Sequence, residues 1–267
     1  MGVTVSVLAS GSRGNSALIE TSKTKILLDA GLSARETFRR LKALRQDAHS
    51  VAAILITHEH SDHVYGLAVL ARKLKRPVFM TGATHAAWAK AVRDTDRVRP
   101  EVAKLEIFAA GKSFQIGDIA VTPFTIPHDA ADPVGFTFRA EGVKIGFVTD
   151  LGYLPASVRD HLRRCDVLVA ESNHDLEMLR VGPYPWSVKQ RVMSRVGHLS
   201  NAALADFFVS DYDGEAAYVM LAHLSEQNNH PALARGAAEQ ALGHRRTLLR
   251  NRVVLARQSE ASEPIRL

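Results

Sequence analysis

The stretch ILITHEHSDH, residues 54–63, places three histidines and two acids directly after an apolar run. Side chains alternate in an extended segment, so His58 and His60 project to the same side and can chelate one ion. Asp62 and His63 follow at the start of a predicted helix, where they can serve a second ion. Imidazoles suit zinc, and carboxylates also suit manganese. The pattern predicts a metal site, and the alternative is a polar loop with incidental histidines.

The composition is that of a globular protein with a substantial core. The chain has 267 residues, of which 46% are apolar and 23% are charged, so we expect one domain over residues 1–267. No apolar run approaches the length of a membrane span. We therefore expect no membrane-spanning segment. The formal charge of +6 favours anionic partners, with nucleic acid among them. Cys165 is the sole cysteine, which excludes an internal disulfide and favours a reducing cytoplasm.

Strand-like and helix-like patterns alternate along the chain, which predicts an α/β layered domain. The predicted strands are 4–10, 16–21, 25–30, 52–57, 77–81, 119–126, 135–140, 144–150, 166–171 and 218–224. The predicted helices are 33–44, 62–74, 84–93, 155–164, 187–196, 200–209 and 232–241.

Two segments of the chain resemble each other. KILLDAGLS (25–33) and KIGFVTDLG (144–152) each combine a strand with an acid-containing turn and a glycine, before a helix and a second strand. Internal duplication and a chance match of two β-α-β units both explain this similarity. Duplication would bring polar strand ends to one edge, where α/β proteins bind ligands.

Three further candidate ligands each follow an apolar strand. They are His128 in FTIPHDAADP, Asp150 after IGFVT and His223 after YVMLA. Each is a solvated loop residue under the simplest interpretation. Their shared position at strand ends favours a common metal site.

The motif THEHSDH (57–63), with LLDAG (27–31) before it, resembles the signature of the metallo-β-lactamase-fold hydrolases. The resemblance extends from about residue 3 to residue 256. It implies a four-layer αββα fold in which two mixed β-sheets are sandwiched between helices. It also implies two divalent metal ions, Zn or Mn, with a hydroxide between them. Asp29 would brace the histidine-rich loop. One ion would be held by His58, His60 and His128, the other by Asp62, His63 and His223, and both by Asp150.

Asp150 stands where several β-lactamases have a cysteine, which favours the phosphodiesterase and glyoxalase branches. Four further stretches resemble the YycJ/WalJ-like group, which is regarded as having 5′→3′ exonuclease activity. They are ASGSRGN (9–15), ESNHD (171–175), GHLSNAALA (197–205) and LAHLSEQNN (221–229). The last three also resemble, more weakly, the final motifs of RNase Z enzymes.

By the RNase Z resemblance, His198 would donate a proton to the leaving group and Glu171 would orient it; a helix cap is the alternative for His198. We expect Asp62 to take part in catalysis as well. The candidate substrate contacts are Ser12, Asn15, Asn173 and His174, and a hairpin loop and a polar turn are the alternatives there.

Aromatic and basic residues are further candidates for nucleic-acid contacts. Tyr184 and Trp186 can stack a base or pack locally. The basic helix around Arg39 and Arg40 and the stretch 244–252 can follow a phosphate backbone or form solvated faces.

We expect a dinuclear metal-dependent phosphodiesterase or nuclease in the cytoplasm, acting on single strands or ends of nucleic acid. The first alternative is a small-molecule hydrolase of the same fold, acting on a β-lactam, lactone, thioester or cyclic phosphate. The second is a catalytically idle metal-binding regulatory protein. The sequence leaves the oligomeric state open.

Overall fold

The structure is a computed structural model that describes residues 2–94, 102, 104–243 and 251–267. Most of the basic stretch 244–252 therefore lies outside the described residues. The chain divides into two compact units. The first comprises Met1–Pro123, Ala130–Val134 and Gln258–Leu267, and the second comprises Phe124–Asp129 and Gly135–Arg257. The expectation of one hydrolase domain over residues 1–267 stays a prediction.

The described residues form strands and helices in mixed order. The strands are β1 (Thr4–Ala9), β2 (Ser16–Glu20), β3 (Lys25–Leu28), β4 (Ala53–Leu55), β5 (Val78–Thr81), β6 (Leu105–Phe108), β7 (Phe114–Ile116), β8 (Ile119–Thr125), β9 (Val134–Ala140), β10 (Val143–Val148), β11 (Val167–Glu171), β12 (Tyr218–Ala222), β13 (Arg252–Leu255) and β14 (Ile265–Arg266). The helices are α1 (Ala34–Ala43), α2 (Ser61–Val64), α3 (Leu67–Leu74), α4 (Gly82–Arg93), α5 (Ala156–Leu162), α6 (Leu176–Val181), α7 (Trp186–Val192), α8 (Asn201–Ser210) and α9 (Pro231–Gly243).

The first sheet is mixed and has the strand order β14-β1-β2-β3-β4-β5-β6. β1, β2 and β3 pair in antiparallel fashion, whereas β3 to β6 run parallel, with Leu28 beside Leu55. The carboxyl ends of parallel strands meet at one edge of a sheet. Asp29 follows β3 at this edge, and its N–H donates to the Leu55 carbonyl over 2.8 Å. The segment after β4, which carries the histidine motif, therefore starts beside Asp29.

The second sheet is also mixed and has the order β13-β12-β11-β10-β9-β8-β7. β10 to β13 run parallel, with Val148 beside Ala170, and β9 pairs with β10 in antiparallel fashion. Asp150 and His223 follow the carboxyl ends of β10 and β12, and Glu171 ends β11. The parallel register brings these three acidic and imidazole side chains to one sheet edge.

Helices cover each sheet through apolar faces. In the first unit, Leu41 of α1, Leu70 of α3 and Trp88 of α4 are buried in one core cluster with strand residues. In the second unit, Val158 of α5 and Phe208 of α8 belong to another cluster, with β11 and β12 residues. Burial of such side chains is the main stabilising term in folding. The expected α/β class, with two mixed sheets flanked by helices, is confirmed.

Some elements differ from the sequence expectation. β6, β7, β13, β14 and α6 were not expected, because each of these strands has two to four residues and α6 has six, too few for a clear period. The helix expected over 62–74 is interrupted at Gly66. A Cβ there would lie 1.9 Å from the Leu32 carbonyl oxygen, so the chain passes against another backbone segment.

The two similar segments share a backbone conformation. Asp29 and Asp150 have φ angles of 58° and 62°, in the left-handed region that only a few per cent of non-glycine residues adopt. Two residues later, Gly31 and Gly152 each lie where a Cβ would collide with backbone, at 1.7 Å from the Asp62 oxygen and at 2.3 Å from the Arg195 carbonyl carbon. The two segments thus share a left-handed residue followed two positions later by a tightly packed glycine.

Among the helices of the described ranges, none is long and apolar enough to cross a membrane.

Candidate metal centre

In the first unit, a buried hydrogen-bond network fixes the histidine motif. Asp29 Oδ1 accepts from the Thr57 N–H over 2.9 Å, and the Thr57 hydroxyl lies 3.0 Å from both Asp29 oxygens. Asp29 Oδ2 lies 2.8 Å from His63 Nδ1. Burial raises the pKa of Asp29, while His63 and Thr57 act in the opposite direction. With Nδ1–H donating to Asp29, His63 is held in the tautomer whose Nε2 lone pair can bind a metal.

His58 and His60 lie close to each other and to His63. The His58 ring centroid is 4.7 Å from that of His60 and 4.1 Å from that of His63. His58 and His63 are fully buried. Thr57 Oγ1 is also 3.0 Å from His58 Nδ1, so one hydroxyl contacts two imidazoles and the carboxylate of Asp29. Thr57 is the first residue of the motif THEHSDH, but its role as a shared hydrogen-bond partner of these side chains was not expected.

Asn15 contacts candidate ligands of the first unit. Its Nδ2 lies 2.9 Å from Asp62 Oδ2 and 2.9 Å from His63 Nε2, and its backbone N–H donates to the Asp62 carbonyl. The Gly11 N–H donates to Asn15 Oδ1 over 2.8 Å. Asn15 is therefore placed to position Asp62 and His63. Ser12, in the same loop, is exposed to solvent.

The second unit gathers four ligand-type side chains whose donor atoms lie within 4.8 Å of one another: Asp150, Glu171, His198 and His223. His223 Nδ1 is 2.8 Å from Asp150 Oδ1 and 3.1 Å from Glu171 Oε1. His198 Nδ1 is 2.7 Å from Glu171 Oε1. Asp150, Glu171 and His223 are buried, and buried charges require opposite charges or metal ions as partners.

Glu171 is bonded through both of its carboxylate oxygens. Its Oε2 accepts the N–H groups of Leu151 over 3.0 Å and Leu199 over 3.1 Å, while Oε1 faces His198 and His223. Burial opposes ionisation, but the two imidazoles outweigh it and lower the pKa of Glu171 to about 2. Burial also opposes the charged form of His198 and so lowers its pKa. The Glu171 carboxylate acts in the opposite direction and is stronger, so the pKa of His198 is raised overall. The Glu171 carboxylate thus favours the protonated form of the His198 imidazole.

His128 is oriented by backbone carbonyls. Its Nδ1 lies 3.1 Å from the Val196 oxygen and 3.2 Å from the Gly197 oxygen, and the ring is buried. Because carbonyl oxygens only accept, Nδ1 carries the hydrogen, and Nε2 is the nitrogen that would bind a metal. A histidine ligand with its second nitrogen bonded in this way is typical of metal sites.

The remaining candidates in ESNHD are buried rather than exposed. Asn173 Nδ2 donates to the His223 carbonyl over 2.9 Å, and His223 has a φ of 54°, so Asn173 holds the left-handed turn at His223. His174 is buried, its Nδ1 has no hydrogen-bond partner among the described residues, and burial lowers its pKa to about 4. Asn229, the last residue of the stretch LAHLSEQNN, donates to the Ser172 and Asn173 carbonyls.

The basic helix α1 does not offer all of its cations to a ligand. Arg39 and Arg40 both bind Glu36, and Arg40 also donates to the carbonyls of Leu8 and Gln258. Arg40 is buried. Its charge therefore stabilises the first unit.

The donor set in each unit suits a divalent metal. Imidazoles whose Nδ1 is bonded to Asp29 or to carbonyls, together with buried carboxylates, are the ligand types that zinc and manganese share. A cation would also compensate the buried charges of Asp150 and Glu171. The chain thus contains a His/Asp cluster fit for metal binding.

Comparison with known proteins supports this chemistry. A family model for the β-lactamase superfamily domain matches residues 24–223. The chain belongs to the metallo-β-lactamase superfamily. It is 41% identical over 242 residues to the exodeoxyribonuclease YycJ of Bacillus anthracis, covering 91% of this chain and 90% of that relative.

A second relative is the exodeoxyribonuclease WalJ of Streptococcus pneumoniae, 37% identical over 88% of this chain and 86% of its own length. Both similarities place the chain in the YycJ/WalJ group of the superfamily. The metallo-β-lactamase-fold protein YhfI of Bacillus subtilis superposes with a TM-score of 0.73, covers 100% of both chains and is 14% identical. The expected family, fold class and metallo-hydrolase enzyme type are confirmed by these similarities.

Proposed function

We propose that this protein is a metal-dependent exodeoxyribonuclease that hydrolyses phosphodiester bonds of single-stranded DNA from the 5′ end. One structural observation carries the proposal: His198 is bonded through Nδ1 to the buried carboxylate of Glu171, 2.7 Å away, and lies beside Asp150. The leaving oxygen of a phosphodiester is a poor leaving group, and a proton donor makes its departure easier. The two relatives with exodeoxyribonuclease names support this choice of substrate.

We further propose that two divalent ions, zinc or manganese, are bound by the ligand set identified in the sequence: His58, His60, Asp62, His63, His128, Asp150 and His223. When bound, such ions supply hydroxide near neutral pH and positive charge opposite the phosphate. Asp29 and Thr57 orient His63, and the carbonyls of residues 196 and 197 orient His128.

His198 supplies the proton. Its Nδ1–H stays bonded to Glu171 Oε1, and its Nε2–H is transferred to the leaving oxygen as the P–O bond breaks. The imidazole is then neutral and is reprotonated from solvent. Glu171 remains ionised because four donors surround it, and a fixed negative charge keeps the imidazole protonated beforehand.

Asp62 takes part in catalysis from a fixed position next to Asn15, which donates to its Oδ2.

The proposed setting is the cytoplasm, where the thiol of Cys165 stays reduced. Burial raises the pKa of this thiol to about 12, so it does not act as a nucleophile at neutral pH.

A substrate panel tests the proposal. Purified protein with manganese or zinc is given 5′-labelled single-stranded DNA, bis(p-nitrophenyl) phosphate, nitrocefin and a homoserine lactone. We expect stepwise shortening of the oligonucleotide and cleavage of the phosphodiester, both abolished by a chelator. Turnover of nitrocefin or the lactone alone would contradict the proposal and favour a small-molecule hydrolase. Metal binding without turnover of any substrate would favour an idle metal-binding protein.

A further inference from the structure

The segment PYPWSVKQRVMSRVGH, residues 183–198, connects an aromatic residue with the proton donor. It contains Lys189, Arg191 and Arg195 and no acidic residue, and it contains Tyr184 and Trp186. It begins before α7 and ends at His198. The segment therefore joins a basic, aromatic surface to the candidate centre through continuous backbone.

Trp186 stands on the outer face of α7. It is 64% exposed, whereas Trp88 is 1% exposed. The inner side of the helix is fixed by Lys189, whose Nζ donates to the Arg180 carbonyl over 2.8 Å. Nearby in sequence, Val181 and Met193 are exposed too. A large indole in water without local packing is a feature expected of a binding surface rather than of a core.

Arg195 is held close to the catalytic groups. Its guanidinium carbon lies 4.4 Å from the centroid of the Tyr153 ring, a cation–π contact. Tyr153 is three residues after Asp150, and Arg195 is three residues before His198. Gly152 packs so tightly that a Cβ would lie 2.5 Å from the Arg195 oxygen. The backbone around Arg195 is thus rigidly placed beside the Asp150 turn.

The two cations of α7 already have partners, and that of Lys189 is the Arg180 carbonyl. Arg191 Nε lies 2.6 Å from Asp129 Oδ2, and this ion pair ties α7 to the residue next to His128. Arg195, by contrast, presents its guanidinium from a stacked position. A planar, stacked guanidinium is well suited to phosphate.

The spacing along α7 corresponds to a few nucleotides. Trp186 and Val192 are six residues apart in the helix, which corresponds to a rise of about 9 Å. The His198 N–H donates to the Val192 carbonyl over 2.9 Å, so the end of α7 touches the residue that carries the proposed proton donor. With about 3.4 Å per stacked nucleotide, the helix from Trp186 to Val192 is about as long as three stacked nucleotides.

We propose that α7 and the loop to His198 bind the single strand, with Trp186 stacking on a base and Arg195 binding a phosphate near the cleaved bond. This inference rests on the proposed nuclease function and adds the substrate path to it. Single strands are bound by positive charge together with aromatic stacking. The absence of acids from residues 183–198 favours a polyanion over a second copy of this chain, whose formal charge is +6.

Tryptophan fluorescence tests the stacking directly, because the two tryptophans differ so much in exposure. The metal-loaded full-length protein is titrated with a single-stranded phosphorothioate oligonucleotide of eight nucleotides. We expect saturable quenching, which disappears in Trp186→Phe while binding, measured by anisotropy of a labelled oligonucleotide, is largely kept. Unchanged fluorescence of the wild-type protein at saturating oligonucleotide would overturn the role of Trp186.

Kinetics test the position of the surface. Trp186→Ala should raise KM for an octanucleotide about tenfold, with a much smaller change for a dinucleotide that is too short to reach the indole. Trp186→Phe should restore most of the affinity. Arg195→Gln should raise KM for both lengths, and Arg195→Lys should restore it in part. Leu233→Ala, which truncates a 47% exposed residue of α9, is the matched control and should leave both KM values unchanged.

Three outcomes separate the hypotheses. Equal KM values for Trp186→Ala and wild type on the octanucleotide would refute the surface while the nuclease activity stands. Oligonucleotide quenching without any cleavage would support the surface and contradict the nuclease function. A change of oligomeric state in Trp186→Ala, seen by size-exclusion chromatography with unaltered KM, would assign the indole to a contact between copies of the chain and overturn the inference.

Discussion

Glu171 Oε1 lies 2.7 Å from His198 Nδ1, and the other oxygen of Glu171 accepts the N–H groups of Leu151 and Leu199. Two backbone N–H groups therefore hold one oxygen of the carboxylate in place, and the other oxygen faces the imidazole. The buried Glu171 carboxylate and the half-buried His198 imidazole stabilise each other's ionised forms. This relationship makes His198 an acid whose proton is retained to higher pH than that of a free histidine.

The pH dependence of cleavage should follow from this pair. The pKa of His198 is raised by Glu171 against the effect of burial, so the acid form exists below the raised pKa and activity falls as pH rises through it. In Glu171→Gln the amide donates to Nδ1, which lowers the pKa of His198. We expect cleavage to fall about 10–100-fold and the alkaline limb of the kcat profile to move to lower pH. An unchanged alkaline limb would show that His198 is not the titrating donor.

Metal affinity should depend on Thr57. Its hydroxyl contacts Asp29, His58 and His63. Thr57→Val removes this hydroxyl and with it the hydrogen bonds that hold the three side chains in position. We expect metal affinity to fall about 10–100-fold, as measured by competition with a chromophoric chelator. Thr122→Val is the matched control, because Thr122 bonds to Ser113 on the surface. Equal affinities in the two variants would argue against positioning by Thr57.

Substitution of two glycines should change stability in opposite directions. A Cβ on Gly31 would lie 1.7 Å from the Asp62 oxygen and 2.5 Å from the Asn15 nitrogen, so Gly31→Ala must displace backbone beside the histidine motif. We expect a loss of about 3 kcal/mol or more in the free energy of unfolding, measured in urea. Gly236→Ala, in α9 with no atom within 4 Å of the new Cβ, should instead stabilise the protein by about 0.5–1 kcal/mol. Equal effects of the two changes would refute the close approach at Gly31.

Glu36 should stabilise the first unit in a pH-dependent way. The hydrogen bonds from Arg39 and Arg40 outweigh burial and lower the pKa of Glu36 to about 2. Its stabilisation is present above the unfolded pKa near 4.5 and is lost as pH falls through about 2. Glu36→Gln should therefore lower the free energy of unfolding by about 1–3 kcal/mol at pH 7, since it removes the partner of buried Arg40. At pH 2.5 the difference from wild type should be much smaller, and a constant difference would contradict this assignment.

Much of the fold follows from patterns that the sequence displays. The apolar run before His58 and the capping residue Ser33, whose side chain accepts from the Glu36 N–H over 3.3 Å, predict strand β4 and helix α1 within a few residues. The short strands β7 and β14 do not show an alternation of their own. Their pairing depends on neighbours such as Val5, which lies opposite Ile265, and such distant contacts leave no local signal.

In the candidate centre, too, some residues could be predicted from the sequence and others could not. Residue types that bind metals were visible as a motif, because imidazoles and carboxylates are rare directly after apolar strands. The groups that orient them were less visible. Thr57 resembles any polar residue, and the carbonyls that hold His128 carry no side-chain signature. The expected substrate contact of Asn173 stays a prediction. Its amide also fixes the backbone at His223, in a left-handed turn that the sequence does not reveal.

We propose that cleavage of single-stranded DNA requires divalent ions held by the ligands named above. Metal content and oligonucleotide cleavage, measured together for wild type and Asp150→Ala, test it most directly. We expect two ions per wild-type chain and 5′→3′ shortening of the oligonucleotide, with both the metal content and the cleavage strongly reduced in Asp150→Ala. Full cleavage by metal-free protein, or by the Asp150→Ala variant, would contradict the account.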